Sequence, residues 1–351
     1  MAQQAATAPL PPVPAPAQAA GLPLIERRNP HRHTYGALDL GTNNCRLLVA
    51  RPSDDGFIVI DAFSRVVRLG EGLAASGKIS EAAQDRAVAA LTVCADKLCR
   101  RRVSLSRSVA TEACRRAVNG RQFVERVRRE TGIALEIISP EEEARLAMLG
   151  CHRLLEPGDG PALIFDIGGG STELVLIDTD GGGVPTIKSW WSAPWGVVSL
   201  TESEGRDFAD SGERLAAYGR MKERVRNAFS RFAELLPPRT DDIRLLGTSG
   251  TVTTLASIHL ALPAYDRRAV DGLLMPSKSM RAVNAMLSGM SIAERSQVPC
   301  IGQERADLVV AGSAILEAIM DIWPARTLGV ADRGIREGIL RSLMARDGHD
   351  L

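Results

Sequence analysis

Two glycine-rich turns, each entered by an aspartate, are where this chain could do chemistry. The first runs Asp39-Leu40-Gly41-Thr42-Asn43-Asn44, and the second runs Asp166-Ile167-Gly168-Gly169-Gly170-Ser171-Thr172-Glu173. Each lies between two apolar runs of strand character. Glycine permits positive φ and close backbone approach. Successive N–H groups of such a turn can converge on one anion. An aspartate at the strand end can hold a divalent cation or its water. One such turn is usually only a hairpin. Two with matching aspartates imply two similar half-molecules facing one phosphate site. Hydrolysis of a phosphoanhydride needs those parts: cradled oxygens, a cation and an oriented water.

Other chemistries find little support. Gly72-Leu73-Ala74-Ala75-Ser76-Gly77-Lys78-Ile79 comes close to a P-loop, but Ile79 stands where a hydroxyl must ligate magnesium. There is no HExxH and no nucleophile elbow, and none of the five histidines sits in a motif. Acid–base work therefore falls to carboxylates. Glu141, Glu142 and Glu143 form an acidic run at a helix start, where the macrodipole favours anions.

The turns, together with four further stretches, resemble the exopolyphosphatase and guanosine pentaphosphate phosphohydrolase family. That family shares the fold of actin, sugar kinases and heat-shock chaperones. The further stretches are Ala110-Thr111-Glu112-Ala113-Cys114-Arg115-Arg116-Ala117-Val118-Asn119, Ile138-Ser139-Pro140-Glu141-Glu142-Glu143-Ala144-Arg145, Gly247-Thr248-Ser249-Gly250-Thr251 and Arg336-Glu337-Gly338. They occur in family order over residues 35–343. The resemblance implies a metal-dependent exopolyphosphatase that releases orthophosphate from the end of inorganic polyphosphate. Guanosine pentaphosphate is the alternative substrate. A small-molecule kinase or a non-catalytic nucleotide-binding protein of the same fold ranks behind both.

Carried over residue by residue, the resemblance makes Glu143 the general base, because the family's catalytic Glu precedes Ala and Arg. A spacing to Asp166 about one residue longer than the family pattern keeps Glu142 in contention. Arg115 becomes a phosphate clamp and Arg68 a residue facing the chain. Gly41, Thr42, Asn43, Gly168, Gly169, Gly170, Ser171, Thr172, Gly247, Ser249 and Gly250 become phosphate donors. Asp39, Asp166 and Glu173 become ligands of Mg2+ or another divalent cation. The longer members carry a C-terminal helical extension, which this sequence does not continue into. The resemblance leaves a homodimer open.

Composition sets wider bounds. A chain of 351 residues can bury a core large enough for two domains. Net charge is +1, which gives no electrostatic case for nucleic acid or an anionic membrane. Residues 96–130 nevertheless hold eleven Lys/Arg against four Asp/Glu, read as solvated helix faces or as a wall attracting polyanions. Six cysteines without metal-like spacing read as reduced, buried thiols of a cytoplasmic protein. No apolar run is long enough to span a membrane. Trp190, Trp191 and Trp195 read as core rather than as a stacking surface.

Positioning the turns requires strands at 35–39, 45–50 and 57–67, then a helix to 99, a strand at 103–110, helices at 112–118 and 121–131, and a strand at 134–138. A helix over 141–155 joins the halves. The pattern then repeats: strands at 162–167, 173–177 and 185–191, a helix over 213–235, a strand at 243–246 and a helix over 251–260. An apolar helix over 307–321, a strand at 328–330 and a helix over 334–344 complete it. The class is α/β: two actin-like (ribonuclease H-like) domains with a duplicated core and a cleft between them. Expected boundaries are an Ala/Pro-rich disordered leader (1–34), a first domain (35–140) and a second (141–331), with 332–351 packing back on the first.

Overall fold

The computed structural model describes residues 33–349, except 55, 159, 180–184, 205–206 and 235–242. Nearly all of the leader, residue 55 and the run Gly181-Gly182-Gly183 lie outside the described residues.

The first sheet contains β1 (Tyr35–Leu40), β2 (Asn44–Ser53), β3 (Gly56–Val66), β4 (Leu105–Ala110) and β5 (Glu136–Ile137), in the order β3-β2-β1-β4-β5. The second contains β6 (Pro161–Ile167), β7 (Thr172–Asp178), β8 (Thr186–Ala193), β9 (Arg244–Thr248), β10 (Leu274–Pro276) and β11 (Thr327–Ala331), in the order β10-β11-β9-β6-β7-β8. Taken from β8, the second order repeats the first strand for strand and adds β10 at its edge. In each, an antiparallel three-strand meander is continued by two parallel strands reached through helical crossovers. The central strands β1 and β6 are almost continuously buried, as strands covered on both faces must be.

Each sheet has its own core, and two further apolar clusters set the helix Pro140–Cys151 between the sheets, one on the first sheet and one, through Ala144, Met148 and Cys151, on the second. The helix Ile335–Arg346 lays Ile339, Leu340, Leu343 and Met344 against Tyr35, Ala37 and Leu48 of the first sheet and against Leu146 and Ala147 of the helix Pro140–Cys151. The two helices approach closely because each has a glycine at the crossing. A Cβ on Gly150 would lie 1.9 Å from the Gly334 carbonyl oxygen, and one on Gly338 would lie 2.0 Å from that of Leu146. The last helix thereby clamps the helix that carries Glu143 against the first sheet.

The expected helix over 141–155 ends at Cys151, and a 3-10 turn follows at His152–Leu154. The helix Ser277–Gly289, the helix Val197–Glu204 and β10 are not among the expected elements; the last two are only eight and three residues long, too short to show a period. Among the described residues the cysteines are free, but Cys99 is exposed and Cys300 half-buried, contrary to the expectation of six buried thiols. No helix of the described residues is long and apolar enough to cross a membrane.

Candidate active site

Strand register explains why the two turns match. Leu40 pairs with Cys45 and Ile167 with Thr172, so each meander turns through four residues. Each turn closes on the same bond: Gly41 N–H donates to the Asn44 carbonyl and Gly168 N–H to that of Ser171, both at 2.9 Å. Their other carbonyls are tied backwards. Thr42 and Asn43 accept from the amides of Gly70, Val67 and Arg68, while Gly168 and Gly169 accept from those of Val197 and Val198. The amides of Thr42, Asn43, Gly169 and Gly170 donate to no acceptor among the described residues.

The turns meet across one cleft. Gly41, Thr42 and Asn43 line it from the first lobe, and Gly168, Gly169, Gly170 and Ser171 from the second. A Cβ on Gly169 would lie 2.9 Å from Thr42 Cβ and 3.0 Å from Asn43 N, and one on Gly170 would lie 2.7 Å from Thr42 Oγ1. Glycine is required there because the opposite lobe fills the space. Ser249 and Gly250 close a further wall at the start of the helix Gly250–His259, with Ser249 held at φ 121°. Strained backbone of that kind gathers at functional sites.

Five carboxylates converge on this cleft. Asp39, Glu112, Glu143 and Asp166 line it, and Glu173 lies directly behind Ser171, whose hydroxyl donates to Glu173 Oε1 at 2.7 Å. Burial pushes Asp39 above its ordinary range, against the pull of Arg46. Burial brings Asp166 to about 6. Burial, then the charge of Asp166, brings Glu173 to about 7. Glu143 is held well above its usual value by burial and then by Glu173, while Arg115 opposes the shift. Asp39 Oδ1 and Glu173 Oε2 are buried without a partner. Such oxygens suit a hard divalent cation. Among the described residues no group of three or more His, Cys, Asp or Glu side chains is placed to hold a metal ion, so the expected set of Asp39, Asp166 and Glu173 is not a ready-made site. A cation here would complete its shell with phosphate and water, the usual habit of magnesium.

Glu143 owes its place to its helix. Ser139 caps that helix by accepting from Glu142 N–H at 3.2 Å, and Pro140 fills the first turn. Glu142 faces away, paired with Arg107 at 2.6 Å and Arg145 at 2.7 Å, which removes it from contention by geometry.

Several expected phosphate contacts are placed elsewhere. Arg115 does not line the cleft. Its guanidinium donates to Glu143 Oε2 at 2.6 Å, to Glu112 Oε2 at 2.9 Å and to the Ile138 carbonyl at 2.9 Å, so it is engaged with these groups and does not reach the cleft. Arg68 spans the lobes instead of facing the chain, in a two-pronged pair with Asp307 at 3.0 and 3.3 Å. Gly72 N–H bonds Glu202 across the same seam at 2.8 Å. Thr172 is fully buried and donates to the Trp195 carbonyl at 2.7 Å. Gly247 packs under Phe165, where a Cβ would lie 2.6 Å from the ring. The basic stretch 96–130 is largely spent on surface pairs such as Arg101–Asp61 and Arg126–Asp85.

The cleft's own cations were missed. Arg46 and Arg305 line it, and a Cβ on Gly250 would lie 3.7 and 3.8 Å from their guanidinium nitrogens. Burial, then the charge of Arg336, pushes Arg46 below its ordinary value. A signal for Arg46 existed: the register of a four-residue turn places it opposite Asp39. Nothing in the sequence around Arg305 marks it.

The Ppx/GppA phosphatase family model matches residues 48–347. Exopolyphosphatase 2 of Mycobacterium tuberculosis is 31% identical over 324 residues, covering 88% of this chain and 97% of the relative. The crystal structure of the Aquifex aeolicus Ppx/GppA family member aligns with a TM-score of 0.72 at 28% identity, covering 91% of this chain and 99% of that one. An exopolyphosphatase structure from Cytophaga hutchinsonii, at 23% identity and a TM-score of 0.76 over 91% of this chain and 99% of its own, shares the fold. The duplicated two-sheet architecture is the actin-like fold that the sequence led us to expect, and the chain belongs to the Ppx/GppA phosphatase family.

Proposed function

We propose that the protein is an exopolyphosphatase that hydrolyses the terminal phosphoanhydride of inorganic polyphosphate. The observation that carries this is the buried Glu143 carboxylate, locked by Arg115 and facing two amide-rich turns from opposite lobes. The free amides of both turns, with Arg46 and Arg305, hold the oxygens of the terminal phosphate. The oxygen of a water beside Glu143 attacks the terminal phosphorus in line. Its proton passes to Glu143, the bridging P–O bond breaks, and the shortened chain leaves. Arg115 holds the carboxylate in one orientation and favours its ionised form. Asp39 and Asp166, with Glu173 behind them, would hold Mg2+, which neutralises charge on the phosphate oxygens.

Guanosine pentaphosphate is the second reading, and one observation favours it. The cleft also has an apolar wall of Val197, Leu308 and Val309, for which a bare phosphate chain has no use and a nucleoside has. Orthophosphate release with magnesium should be compared on long polyphosphate, tripolyphosphate and guanosine pentaphosphate. Faster turnover of either inorganic chain supports the first reading and faster turnover of the nucleotide supports the second. Release from none contradicts both.

A further inference from the structure

Behind the cleft lies a smaller cavity of about 40 Å³, room for roughly three waters or one tetrahedral oxyanion. The two spaces share a wall that includes Asp39, Arg46 and Ser249. The far side of the smaller one is the start of the twelve-residue helix Ile335–Arg346, with the Arg336 side chain. The guanidiniums of Arg46 and Arg336 make no hydrogen bond or ion pair among the described residues, whereas Arg333 is bound to Asp271 at 2.8 Å. The amides of Ile335 and Arg336 are likewise without acceptors there. Arg305 in the cleft, Arg46 in the shared wall and Arg336 beyond it thus form a run of cations leading out of the site.

An anion in this cavity would meet these donors and three carboxylates, Asp39, Asp166 and Asp332, of which Asp332 is paired with Arg267 at 3.1 Å. Asp39 Oδ1 is buried, lines both spaces and has no partner. Among anions, only one that carries its own O–H can satisfy it. Interior phosphates of a polyphosphate chain have none, and sulfate has none at neutral pH. Orthophosphate gains an O–H in the hydrolysis and so fits both kinds of group.

We propose that this cavity is a binding subsite for the orthophosphate product, with Arg46, Arg336 and the helix amides as donors and Asp39 as acceptor of the phosphate O–H. The inference rests on the hydrolytic reading, because that reaction supplies the ligand. The subsite discriminates against sulfate.

Calorimetric titration of the full chain with orthophosphate, alone and with sulfate, tests this without turnover. The wild type should show two classes of phosphate site, of which sulfate displaces one. Arg336→Gln should weaken the sulfate-resistant class roughly tenfold or more, as loss of a charge-assisted pair predicts. Arg336→Lys should retain it. A single class in the wild type, displacement of both classes by sulfate, or an unchanged second class in folded Arg336→Gln overturns the proposal. Should Arg336→Gln not fold, the wild-type sulfate competition and Arg336→Lys decide alone. Two classes without polyphosphate or nucleotide hydrolysis would leave the subsite standing and sink the function; hydrolysis with one class would do the reverse.

Discussion

The turn at Gly41–Asn44 and the turn at Gly168–Ser171 share one backbone, and they differ at the position paired with the aspartate. Asp39 faces Arg46 across the first hairpin; Asp166 faces Glu173 across the second. Arg46 therefore pulls against the rise in Asp39, while the charge of Asp166 adds to the burial that raises Glu173. The first lobe adds a cation, Arg46, to the cleft, and both lobes hold an unsatisfied carboxylate oxygen, Asp39 Oδ1 in the first and Glu173 Oε2 in the second. The braces differ as well: the first turn is tied to the loop through Gly70 and the second to the start of the helix Val197–Glu204. Duplication has copied the cup, and the chemistry lies in what was not copied.

Breaking this arrangement should have graded effects. The largest is expected for Glu143→Gln, which keeps shape and removes the proton acceptor. Turnover should fall by about 10²–10⁴-fold with polyphosphate binding retained, as phosphate release and binding assays on one preparation would show. Next comes Gly169→Ala. The added methyl meets Thr42 and Asn43 at about contact-breaking distance and wedges the lobes apart, so turnover should drop up to ~10²-fold while the fold survives in circular dichroism.

The hairpin contrast itself is tested by Arg46→Gln and Glu173→Gln. The first should weaken polyphosphate binding roughly tenfold. The second should leave that binding nearly intact and instead raise the magnesium concentration needed for half-maximal rate. Equal effects of both variants on both quantities would erase the contrast.

The smallest effect is a shift along the pH axis. A base must be ionised to act, and Glu143 sits above the ordinary carboxylate range, so the acid limb of the rate profile should lie above the usual ~4.3. Arg115 opposes that rise. Arg115→Gln should therefore move the acid limb to higher pH. A purely structural role for Arg115 would lower the rate at every pH without moving the limb.

The sequence made the cups legible because glycine turns between apolar strands are local signals, and the duplicated core followed from their repetition. Glu143 needed the family pattern, since three adjacent glutamates at a helix start are equivalent by propensity. Whole-motif matching also took in Thr172 and Gly247, which serve packing beside the site. Arg68 and Arg115 were recognised as important residues, but their partners, Asp307 and Glu143, come from distant parts of the chain that only tertiary structure joins. Arg305 was invisible for the same reason: it reaches the cleft from a segment with no turn or strand signal of its own.

A crystal structure with imido-bridged tripolyphosphate and magnesium tests the central claim most directly. The account predicts the end phosphate between Gly41–Asn43 and Gly168–Gly170, touched by amides of both lobes, with the Glu143 carboxylate within hydrogen-bond reach of a water in line with its phosphorus. A chain held by one lobe alone, or an end phosphate remote from Glu143, would contradict it.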